Sequence, residues 1–158
     1  MASIYTYIVT IGVLLLISMS AAYLFIQQVD SMTKSAQRAA LVAAASHTLA
    51  GMWSAVEEAK LVQLGGVEFK DIYVGFPYRA EIGFSRASGK PTLCVTAFGL
   101  RYERPLPELQ GVTYTPSASG GAYVTARAAV TDRGIEISLG IRERTGQFRT
   151  SQPTECFR

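Results

Sequence analysis

Few residues of this chain could do chemistry: one histidine, His47, the adjacent glutamates Glu57 and Glu58, two cysteines, Cys94 and Cys156, and a basic-aromatic run of Arg142, Arg144, Phe148 and Arg149. Hydrolysis by a nucleophile needs that nucleophile, a base and an orienting group converging in one cleft. His47 has only Ala43, Ala44 and Ala50 around it on a helical pattern, so it reads as a polar residue on an outer helical face. Neighbouring helical residues point about 100° apart, so Glu57 and Glu58 do not share a site as an acid-base pair must. The glycines at 65, 66, 75, 83, 89 and 99 form neither a G-x-G-x-x-G run nor a Walker loop. No Cys-x-x-Cys or Cys/His spacing points to zinc. We expect no catalytic, cofactor-binding or metal-binding residues, and no enzyme.

The two cysteines read as one disulfide, Cys94–Cys156, which would tie down the C-terminus and contribute on the order of 4 kcal/mol. Two unconnected buried thiols are the alternative, favoured by a reducing compartment. The arginine cluster reads first as a solvated strand face and turn; nucleic acid, acidic glycans or a neighbouring subunit are what it could otherwise contact. A net charge of +3 is too thinly spread to be a nucleic-acid signal, because phosphate binding needs a dense basic stripe. Asparagine is absent and arginine outnumbers lysine eleven to four, which fits a heat-loving source or a GC-rich genome. Without asparagine there is no N-glycosylation sequon, whereas Thr113 to Ser119 could accept O-linked sugars.

The elements that must carry these residues begin with a charge-free stretch, residues 1–29. It is about twice too long for a signal peptide and lacks the basic n-region. As a helix it rises about 43 Å, more than the ~30 Å core of a bilayer. An alanine-rich continuation over 36–62 and the first strong stop at Gly65-Gly66 predict one helix over about residues 2–64. Apolar on all sides to residue 30, it becomes amphipathic over 31–64, where Val42, Ala45, Leu49, Met52, Val56 and Ala59 make one stripe. Val42, Leu49, Met52 and Val56 are the residues expected to pack on a head. Small residues at 36, 39, 40, 43, 44, 50 and 51 allow close approach of another helix.

After Gly66 the period changes to two. Ile135, Ile137, Leu139 and Ile141 alternate cleanly, Val124 to Val130 does likewise, and Thr131 to Gly134 supplies a hairpin turn. Further strands are expected near 67–76, 79–85, 92–102, 112–115 and 146–150, with turns at 86–91, 105–111 and 116–121. The fold class is α+β: a long helix, then an all-β antiparallel sandwich-like head over 65–158.

A near-continuous helix from the N-terminus, apolar in its first half and amphipathic in its second, followed by a small β head, resembles a type IV pilin. The similarity is to the archaeal pilin and archaellum-subunit branch, because Tyr5 stands where bacterial pilins carry a glutamate. The resemblance implies a subunit whose helices pack as a filament core with the heads outside. Ile4, Tyr5, Ile8, Ile11, Leu15, Met19, Tyr23 and Ile26 are the expected core residues. It implies partners as well: copies of the same chain, a membrane before assembly, a prepilin peptidase that removes a charged leader, and the assembly machinery. No charge precedes Ser3, so Met1 is expected as the first mature residue. The expected function is an extracellular adhesive fibre. The alternatives are a membrane-anchored extracellular binding module, and a minor pilin or pseudopilin of a secretion or DNA-uptake machine.

Overall fold

The computed structural model describes residues 2–154, 156 and 157; Met1, the expected mature terminus, lies outside them. The architecture is α+β. A helix, α1, spans Ala2–Ala59, and strands β1 Val67–Phe84, β2 Pro91–Ala97, β3 Leu100–Pro105, β4 Val112–Tyr114, β5 Ser117–Thr131, β6 Gly134–Arg142 and β7 Phe148–Arg149 follow. The chain divides into two compact bodies, residues 1–38 and 39–158.

α1 stops at Ala59, short of the expected 64. Leu61 N–H bonds to the Glu58 carbonyl and Val62 N–H to that of Ala59, three residues back, so the last turn tightens before the chain leaves. The Gly65 N–H then donates to the Val130 carbonyl, and the Val130 N–H to the Gly66 carbonyl. These sheet bonds compete with further helix, and Gly65 supplies the left-handed backbone, at φ 86°, that the turn requires.

In the second body the strands form one sheet in the order β3-β2-β1-β5-β6-β4, with β7 on β6. Every pair is antiparallel except β4 with β6, which is parallel. The layer facing this sheet is the helix rather than a second sheet. Its buried stripe is Leu41, Ala44, Ala45, Thr48, Met52, Ala55, Val56 and Ala59, set against Tyr78, Ala80, Ile82, Leu93, Val95, Val124, Ala126, Ile137 and Leu139. Gly51 belongs to this packing, since a Cβ there would run into the Ile72 side chain.

Three details depart from the strand expectations. Residues 67–76 and 79–85 are one strand, β1, whose register against β5 slips between Tyr73 and Tyr78, where Pro77 lacks a donor and Gly75 has φ 90°. The 92–102 stretch is a hairpin, β2 and β3, turning at Phe98-Gly99 with φ 56° and 71°, the combination a tight two-residue loop needs. The expected turn at 116–121 is the start of β5, because Ser117 to Gly121 pair with Tyr78 to Ile82.

Candidate functional site

The first body is a helix, and its described large apolar side chains are exposed. Ile4, Tyr5, Ile8, Ile11, Leu15, Met19, Tyr23 and Ile26 are all exposed, from 40% at Ile11 to 78% at Tyr5. Its best 18-residue window has a mean hydropathy of 2.3, and the helix is long and apolar enough to cross a membrane. Such a segment suits a membrane anchor or a signal.

Several hydroxyls of this stem bond to its own backbone. Thr10 Oγ1 donates to the Thr6 carbonyl and Ser20 Oγ to that of Leu16, both at 2.8 Å. Thr33 does the same to Val29 at 2.9 Å, and Ser31 and Ser35 reach carbonyls three residues back. Hydroxyls satisfied in this way can enter an apolar medium at little cost. Tyr5 and Tyr23 lie about 27 Å apart along the helix, close to the thickness of a hydrocarbon core, and tyrosines favour its two boundaries. The first charge, Asp30, pairs with Lys34 at 2.6 Å.

In the second body the structure redraws the expected helix stripe. Met52 and Val56 are fully buried and Leu49 packs against the core, but Val42 is 42% exposed, with Leu41 holding the buried position beside it. Reading from Val42 in three- and four-residue steps starts the stripe one residue late. It also passes over Thr48, whose hydroxyl bonds to the Ala44 carbonyl at 2.8 Å and shares a hydrogen bond with the Tyr78 hydroxyl at 3.3 Å. Burial holds the Tyr78 phenol above its ordinary range, and Thr48 opposes that shift. Among the small residues, Ala44 and Gly51 serve the chain's own head.

The residues with chemical potential are dispersed. His47 is exposed on the helix. Glu57 pairs with Lys60 at 2.7 Å, while Glu58 takes Lys70 at 3.0 Å and a bond from Ser54. The Lys70 ammonium, then the Ser54 hydroxyl, hold the Glu58 carboxyl below its usual range. Among the described residues no three His, Cys, Asp or Glu side chains gather as metal ligands do.

Cys94 and Cys156 form a disulfide across 62 residues. It belongs to a larger clasp that the sequence did not signal. Glu81, with 1% of its side chain exposed, accepts from the Arg79 guanidinium at 2.7 Å and from the backbone N–H groups of Cys156 at 3.0 Å and Thr154 at 3.3 Å. Arg101 donates to the Cys156 carbonyl at 2.6 Å, and the Phe157 ring lies where a Cβ on Gly83 would sit. A lone glutamate in an alternating strand carries no sign that it will be buried.

The basic-aromatic cluster is partly assembled. Arg142 lies over the Phe69 ring at 4.9 Å, Phe69 meets Phe148 at 5.6 Å, and Arg127 lies over Phe148 at 5.8 Å, while Arg149 pairs with Glu143 at 2.9 Å. Phe69 and Arg127 were not anticipated because only the β1–β5 register makes them neighbours. Comparison with known proteins adds no relative: no family model matches the chain, and no curated protein or solved structure matches it.

Proposed function

We propose that the chain is a pilin, a structural subunit that polymerises through its N-terminal helix into an extracellular type IV pilus-like filament of the archaeal kind, serving surface adhesion. The observation that carries this reading is the stem: a charge-free helix, exposed all round, with hydroxyls bonded to its own backbone. Such a surface is equally at ease in lipid and among identical stems, so the same helix can wait in a membrane as a monomer and then join a bundle. Repeating one heterologous contact gives an open helical fibre. The role is mechanical, not catalytic, and the partners are copies of the chain, the membrane before assembly, a prepilin peptidase and the assembly machinery. The disulfide fits an oxidising, extracytoplasmic setting for the head.

Electron microscopy of the full chain purified from its cells tests the reading. Fibres are expected, and material that remains monomeric or micellar under every condition would overturn it. The spacing of Tyr5 and Tyr23 favours one second reading, a permanently anchored extracellular binding module. The two separate on exchange of residues 2–29 for an unrelated membrane helix: a module keeps its activity, and a pilin loses its fibres.

A further inference from the structure

The sheet face turned away from the helix carries an open groove of roughly 570 Å3, lined by Phe69, Phe148, Arg127, Glu136, Ser138 and Thr150 among others. We propose that this groove binds carboxylate-bearing sugars, uronic acids within an acidic polysaccharide. Three observations converge on that ligand.

The first is the run of Arg142, Phe69, Phe148 and Arg127, in which each guanidinium lies over a ring and the two rings meet at a tilt. A guanidinium attracted to a ring face still has N–H donors to offer, and its fork matches a carboxylate through two parallel bonds. Among the described residues neither Arg127 nor Arg142 has a carboxylate in ion-pair distance, whereas Arg79, Arg101 and Arg149 each have one. The second is Ser138. It is 5% exposed overall and lines the groove. A hydroxyl open to the groove can both donate to and accept from a ligand's polar group. The third is Glu136, whose carboxylate is held by the Thr115 hydroxyl at the groove and leaves lone pairs for sugar hydroxyls. Gly140 makes the arrangement possible, because a Cβ there would strike the Phe148 ring and the Arg149 carbonyl.

Nucleic acid fits less well. The phenyl faces that would stack on bases are covered by guanidinium groups. Two forks also neutralise too few phosphates to hold a strand. The proposal requires the head to lie outside the cell and is independent of whether the stems assemble.

The test is titration calorimetry of the full chain in detergent micelles, with trigalacturonate as probe, galactotriose as its neutral counterpart and oligothymidylate as the nucleic acid. Saturable binding of trigalacturonate alone is expected. Arg127→Gln and Arg142→Gln should each weaken it about tenfold, and Ser138→Ala several-fold. Arg86→Gln and Arg133→Gln, outside the groove, should leave it unchanged. Arg127→Lys, which keeps the charge without the fork, should weaken binding as much as Arg127→Gln and covers the case in which the glutamine variant fails to fold. No saturation at millimolar trigalacturonate, equal affinity for galactotriose, tighter binding of oligothymidylate, or equal loss in Arg86→Gln would each overturn the proposal.

Discussion

Glu81 concentrates more of the head's polar bonding than any single residue type in the chain would suggest. A carboxylate that is almost wholly enclosed must be met by donors, and here they are the Arg79 guanidinium and two backbone N–H groups of the C-terminal segment. Glu81→Gln keeps the shape but removes the charge and turns one oxygen into a donor facing donors. It is expected to cost about 2 kcal/mol or more in urea unfolding, with Glu103→Gln, on an exposed pair, near zero. Tyr78 gives a pH signature. Its phenol is held above the ordinary value by burial, so its contribution is complete below about pH 10, where the unfolded chain titrates, and is lost as pH rises through the native value. Tyr114, also raised by burial, adds in the same sense. Stability should therefore fall with rising pH above about 10, and less steeply in Tyr78→Phe.

At the scale of elements, the helix segment 39–59 and the Cys94–Cys156 bridge hold the head from opposite sides of the sheet. Met52→Ala is expected to cost 2 to 5 kcal/mol, on the order found for buried methionines, whereas Val42→Ala should lie within about 0.5 kcal/mol. That contrast separates the observed stripe from the one read off the sequence. Replacing both cysteines by alanine should lower stability by about 4 kcal/mol, as closure of a 62-residue loop implies, seen as an earlier melting transition. Much at this scale was legible in the residues. Periodicity of 3.6 and then 2 marked helix and strands, and Thr131 to Gly134 marked a turn that the β5–β6 pairing contains. What escaped was set by long-range pairing. Ser117 to Gly121 have the composition of a loop and become strand only because β1 is long enough to pair with them. The parallel seating of β4 on β6, the burial of Glu81 and the meeting of Phe69 with Phe148 likewise have no local signature. Thr48 was passed over because a hydroxyl counts as polar until its bond to the preceding turn is seen.

For the whole molecule, the division of labour between a stem that is exposed throughout and a head with its own core makes the two separable by mutation. Leu15→Glu is expected to leave the head's melting temperature unchanged while eliminating the proposed fibres in the electron microscope, because a carboxylate in an apolar surrounding costs about 3 kcal/mol per copy. A change in head stability with fibres intact would invert that assignment. The stem's lack of charge before Asp30 bears finally on habitat. Dissolved ions screen charged contacts and leave apolar ones intact, and acid alters only groups that can take up protons. From Ser3 to Val29 the side chains offer neither opportunity. In the proposed fibre, brine and acid would therefore act first on the heads, at pairs such as Glu58 with Lys70, while a core of such stems would keep its cohesion.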